Sequence, residues 1–118
     1  MSYFESSDNI IINVDLAVCI GIDASVLFSE LCSMYDYYKK HEMVCNGGYF
    51  TVSNDEIYLN TSFRGKRIIT AINRLITERL IITDMKGTPI KRHFKIIATD
   101  ELIESLIVTG KLKRGINE

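Results

Sequence analysis

Lys66, Arg67, Thr70, Asn73 and Arg74 fall within one stretch, "KRIITAINR", that contains no acid. Their chemistry is recognition. Guanidinium and ammonium groups neutralise anionic oxygens, while Asn and Thr side chains offer donors and acceptors. Residues for bond-breaking are not assembled in the same way. The two histidines, His41 and His93, lie far apart in the sequence, and neither a GxSxG nor a P-loop pattern occurs. The acids form no evident pair, so a non-catalytic protein is expected. "NGG" at 46–48 reads as a turn, not a phosphate cradle. His41 and Cys45 have i, i+4 spacing, but a structural zinc site usually needs four ligands, and no CxxC or HxxxH pair completes the set. No metal or other cofactor is expected. The three cysteines, Cys19, Cys32 and Cys45, are an odd number in or beside apolar segments, which suits buried, reduced thiols better than a disulfide framework.

The chain has 118 residues, enough for one domain with one hydrophobic core, and its 25% charged and 47% apolar content is ordinary for a globular protein. It contains no apolar run of about 18 residues, and its first residues, "MSYFESSDNIIINVDL", carry acids and lack a basic segment. Neither a membrane span nor a signal peptide is expected, and a cytosolic location is the default. The net charge of −1 conceals a division. Residues 1–60 hold nine acids against Lys39 and Lys40, whereas residues 61–98 hold nine bases against Glu78 and Asp84. A basic segment between acidic ones suggests one electropositive surface suited to an anionic partner.

The elements that position these residues follow from periodicity and punctuation. Residues 1–9 are polar and are expected to be loose. Val14 to Cys19 fits a short helix capped by Asn13 and ended by Gly21. "DASVLFSELCSMYDYYKKHEM" is the clearest helix, with Asp23 as its expected N-cap and Leu27, Leu31, Met34, Tyr35 and Tyr38 as an apolar stripe. The tyrosines are expected mainly in the core. "YFTV" reads as a short strand, and Ser53 caps a short helix with Asp55 and Glu56 in its first turn. A polar break at 60–62 precedes a helix running to about Arg79. "LIITDM" and "IKRHFKII" read as two strands joined by "KGTP". Thr99 or Asp100 opens a last helix, closed by Gly110, and residues 111–118 are expected to be loose.

Two helices separated by a tight break and followed at once by a hairpin have the plan of a winged helix, an α+β fold in which a helical bundle carries a two- to three-stranded antiparallel wing. There, the second helix of the pair enters the DNA major groove and the hairpin touches the backbone. On a helical wheel, Ile72, Leu75 and Ala71 fall within about 60° of Ile68, and Lys66, Thr70, Asn73 and Thr77 within about 40° of the opposite direction. Ile76 belongs to the apolar set, and Arg67 and Arg74 flank the polar one. Cations hold phosphates, and Asn and Thr reach base edges. Gly65 permits close approach near the helix start. Lys86, Lys91, Arg92, His93 and Lys95 are expected at or beyond the hairpin turn, with Phe94 and Ile96 alternating inward. The residues expected to bind DNA are therefore Arg64, Lys66, Arg67, Thr70, Asn73, Arg74, Lys86, Lys91, Arg92 and Lys95. Ile69, at the edge of the exposed face, fits core periphery, a thymine-methyl contact or a protein interface.

"GIDASVLFSELCSMY", "GGYFTVSNDEIYLNTSF" and "KRIITAINRLITERLI" together resemble the winged-helix domain found in many phage and plasmid replication-type and regulatory proteins. The resemblance spans about residues 16–97 and rests on degenerate apolar and small-residue patterns. It implies the same fold, and by position it places Lys66, Arg67, Thr70, Asn73 and Arg74 on the DNA-reading face. Arg79 stands where the pattern has glycine, so either the helix ends differently or Arg79 adds a phosphate contact. Relatives acting in replication often carry further domains, and none is expected here.

Two functions compete. The first is a duplex-DNA-binding transcriptional or replication regulator, homodimeric through the last helix (Leu102, Ile103, Leu106, Ile107) or the N-terminal helices. The second is a winged-helix adaptor that binds or inhibits a host protein through its acidic N-terminal half. The stripe on the last helix serves equally well to close the core.

Overall fold

A computed structural model describes residues 9–115. The expected looseness at 1–9 and 111–118 falls, for 1–8 and 116–118, outside the described residues. Among the described residues, five α-helices and a three-stranded antiparallel sheet succeed one another as α1 (Val14–Ile20), α2 (Ile22–Lys40), β1 (Phe50–Thr51), α3 (Asn54–Thr61), α4 (Lys66–Thr77), β2 (Ile81–Lys86), β3 (Lys91–Ile96) and α5 (Asp100–Lys113). This is the α+β order read from the sequence, consistent with a winged-helix-like fold.

Local chemistry sets most boundaries. Asn13 Oδ1 accepts from the Leu16 amide at 2.9 Å and starts α1. Gly21, at φ 97°, ends α1 and also caps α2, which begins at Ile22. Asp23 is therefore not the cap expected of it. It lies in the first turn of α2, where its carboxylate is free for another partner. Ser53 and Glu56 form a reciprocal capping box at α3. Thr99 caps α5 through a bond from the Leu102 amide at 3.2 Å. The expected close at Gly110 is corrected: α5 continues to Lys113. Gly110 is buried inside the helix, because a Cβ there would lie 1.9 Å from the Asp15 carbonyl oxygen. Its lack of a side chain is what lets α5 lie flush against α1.

The end of α4 resolves the question about Arg79. Glu78 is the C-cap, and Arg79 adopts φ 61°, the left-handed conformation that glycine usually supplies. Its amide donates to the Ile76 carbonyl at 3.0 Å, and the Leu80 amide donates to the Leu75 carbonyl at 3.0 Å. That paired bonding is a Schellman motif, closed by contact between buried apolar residues. The helix ends as the glycine pattern would end it, with an arginine in the strained position.

The core gathers Leu27 and Leu31 of α2, Phe50 of β1, Ile57 of α3, Ile68 and Leu75 of α4, and Leu80, Ile81 and Phe94 from the base of the sheet. Tyr35 and Tyr38 pack against Phe50 with ring centroids 5.6 and 6.0 Å apart, whereas Tyr37 is exposed. The stripe of Leu102, Ile103, Leu106 and Ile107 on α5 packs partly buried against this core. β3 is the central strand, and Phe94 pairs with Phe50 on one side and Thr83 on the other. Among the described residues, no helix is long and apolar enough to cross a membrane.

Candidate nucleic-acid interface

α4 buries Ile68, Ala71, Ile72 and Leu75 and exposes Lys66, Arg67, Thr70, Asn73 and Arg74. Ile76 departs from its expected apolar set: it is 37% exposed, and Ile69 is 49% exposed. Both lie about 80–100° around the helix from Ile68, on the flank opposite Arg67 and Arg74. The outer face thus has a cationic edge and an apolar edge, with Lys66, Thr70 and Asn73 between them. Those three side chains have no partner among the described residues.

The cationic edge is tied down. Arg67 Nε and Nη2 donate to Asp23 Oδ2 and Oδ1 at 2.9 and 3.0 Å, and its guanidinium lies 4.3 Å from the Phe63 ring centroid. The hydrogen bond from Arg67 holds the Asp23 carboxyl below its ordinary range, with partial desolvation opposing and the guanidinium charge assisting. The same bond raises the Arg67 value. Arg74 donates to the Cys19 carbonyl at 3.2 Å and lies 3.4 Å from Glu78. Arg64, in the loop before α4, donates to the Tyr58 hydroxyl at 2.6 Å and stacks 4.1 Å from its ring centroid.

The hairpin cations divide between two faces. Residues directly opposite across the ladder share a face, and successive residues alternate. Arg92 therefore lies on the face of Phe94, toward the helices, and its Nη1 donates to Asn54 Oδ1 at 3.3 Å. His93 and Lys95 belong to the other face; Lys91, opposite Lys86 at the turn, alternates to that face but also borders the groove on the Arg92 side. On the other face, Lys86 and Lys95 sit 3.9 and 5.7 Å from the Tyr49 ring centroid. His93, expected at or beyond the turn beside the cations, is buried, and its Nδ1 lies 3.0 Å from the Lys91 carbonyl oxygen. Phe94 is buried and Ile96 partly buried, as the alternation requires.

Eight of the ten expected residues thus form two groups. Arg64, Lys66, Arg67, Thr70, Asn73 and Arg74 surround the outer face of α4. Arg92 and Lys91 line a groove between the hairpin and the start of α3. Asn54 walls both this groove and a second one containing Arg64 and Gly65, so the two groups meet across the N-terminus of α3. Lys86 and Lys95, around Tyr49, stand apart on the outer side of the sheet. Sequence reading missed Asp23, Phe63, Tyr58, Asn54 and Tyr49 as partners. Phe63 and Tyr58 lie four and six residues from the arginines they touch, a proximity visible in the sequence; Asp23, Asn54 and Tyr49 lie far from theirs and left no signal.

Among the described residues, no group of three or more His, Cys, Asp or Glu side chains could hold a metal ion. α2 ends at Lys40, so His41 and Cys45 do not share a helical face. All three cysteines are free; Cys19 is buried and Cys32 half-buried, but Cys45 is exposed, against expectation.

No protein-family model and no curated protein matches the chain. Solved structures do. One, described as "N-Terminal domain of DNA binding protein", is 16% identical, with 99% of this chain and 93% of that chain covered and a TM-score of 0.62. Another, described as "Structure of Rep-DNA complex", is 15% identical, with 99% and 94% covered and a TM-score of 0.61. The likeness extends over nearly the whole of each chain and is a likeness of fold.

Proposed function

We propose that this chain is a non-catalytic duplex-DNA-binding protein, a replication or transcription regulator of the phage or mobile-element kind that works in the cytoplasm. The observation that carries this reading is the outer face of α4: Lys66, Thr70 and Asn73 point outward without side-chain partners among the described residues, beside Arg64 and opposite a closed apolar core. The fold-sharing chains described as a DNA-binding domain and a Rep–DNA complex support it. In this reading α4 enters the major groove. Lys66 and Arg64 neutralise phosphates, Asn73 and Thr70 meet base edges, and Arg92 and Lys91 extend the contact along the backbone. Short operators need two copies of so small a reader. Val14, Val18, Val108 and Leu112, exposed on α1 and α5, are the apolar residues proposed to join them.

Asp23 already compensates Arg67, so the phosphate test belongs to cations without a partner among the described residues. Fluorescence anisotropy on random duplexes at two salt concentrations is expected to show binding that weakens with salt. Lys66→Ala combined with Lys91→Ala should weaken binding to all sequences and flatten the log–log salt slope by about 2. Asn73→Ala should relax base preference instead. The competing reading, a host-protein adaptor, draws on a groove along α2 and α3 lined by Glu30, Asp36, Glu56, Tyr37 and Tyr38. It predicts no salt-sensitive duplex binding at moderate ionic strength, and that result would reject DNA as the target.

A further inference from the structure

We propose that Arg67 reads a guanine base and that Asp23 and Phe63 are its positioning residues; the inference rests on the duplex-DNA reading above and specifies it. The carboxylate of Asp23 engages the side of the guanidinium, taking the Nε–H and one Nη2–H at 2.9 and 3.0 Å. The other Nη2–H and both Nη1–H donors remain. The end of the group therefore still presents two parallel N–H bonds, one from each terminal nitrogen. In the major groove guanine alone offers two adjacent acceptors, O6 and N7, that match this fork. Phe63, beneath the guanidinium at 4.3 Å, fixes the tilt of the plane while leaving the side chain 58% exposed. Arg67 also lies in the first turn of α4, the part of a recognition helix that meets base edges.

Charge decides between base and phosphate. A phosphate approaching Arg67 would meet the Asp23 carboxylate, which is held ionised and cancels the local positive charge. The edge of a base, which carries no net charge, meets far weaker opposition. Arg64 is the contrast: it rests on the ring and hydroxyl of Tyr58, and its full charge is available to a phosphate. A guanidinium already held in one orientation also loses less rotamer freedom on pairing.

The test begins with selection of the preferred duplex from a randomised library by the full chain. Each guanine in that site is then replaced with 7-deazaguanine, which lacks the N7 acceptor. One replacement is expected to weaken wild-type binding by about 5- to 20-fold. Arg67→Lys, which keeps the charge but lacks the fork, should abolish that difference at the selected site. Asp23→Asn should reduce the difference several-fold while random-duplex affinity holds or rises. Thermal melting shows whether both variants are folded. The inference is overturned if every 7-deazaguanine effect persists in Arg67→Lys, or if Asp23→Asn strengthens binding to all duplexes with guanine discrimination intact. Wild-type protein that binds no duplex rejects the DNA reading as well. Salt-sensitive binding with no 7-deazaguanine effect traceable to Arg67 rejects this inference alone.

Discussion

Arg79 holds φ 61° because the Schellman bonds at the end of α4 need a left-handed residue before Leu80. A side chain bearing a Cβ is disfavoured there by about 1–2 kcal/mol relative to glycine, partly offset by the greater chain entropy of unfolded glycine. Arg79→Gly is therefore expected to stabilise the protein by ~0.5–1 kcal/mol in urea denaturation; no gain, or a loss, would show that the arginine side chain makes a compensating contact. The cysteines differ in a way that their spacing does not reveal. Burial, with the Asp36 charge adding, pushes the Cys32 thiol up to about 11, so it remains protonated at neutral pH. Cys45 is exposed. Iodoacetamide at neutral pH followed by mass spectrometry should find Cys45 modified well before Cys32, and equal rates would contradict the burial described.

Capping residues made most elements legible. Asn13, Ser53 and Thr99 each have a side-chain oxygen three residues before an amide it can satisfy, a relation visible in the sequence. The two misread helix boundaries have a shared cause. Asp23 has the type of a cap but serves Arg67, and Gly110 has the type of a helix end but serves a close approach to Asp15. In each case a distant partner overrode the local signal. Gly110→Ala measures that override. At an exposed mid-helix position the exchange gains up to ~1 kcal/mol, whereas here it should destabilise by about 1–3 kcal/mol as α5 is forced from α1. Chemical denaturation distinguishes the signs, and a gain would mean that the helices separate freely.

For the whole molecule, the sequence shows the charge division but not which cations are already satisfied. Residues 61–98 hold nine bases, of which Arg67 and Arg74 are drawn toward Asp23, Glu78 and the Cys19 carbonyl. Contacts spanning 44 and 55 residues cannot be read from spacing. The polar face of α4 was legible because a single helical period orders it. The separation of Arg92 from Lys86 and Lys95 follows from strand alternation, but their partners Asn54 and Tyr49 do not. If four to six cations engage phosphates, the log–log salt slope should lie between about −3.5 and −5.5. A titration giving a slope near zero would contradict a backbone-anchored interface.

The seam between α1 and α5, closed by Gly110 against Asp15 and by the Arg114–Asp15 ion pair, has a mechanical consequence. Tension applied between residues 9 and 115 meets that seam first, and it must peel apart before any load reaches α4 or the hairpin. A tether fused at either terminus would therefore pull on a buckle, leaving the outer face of α4 unstressed.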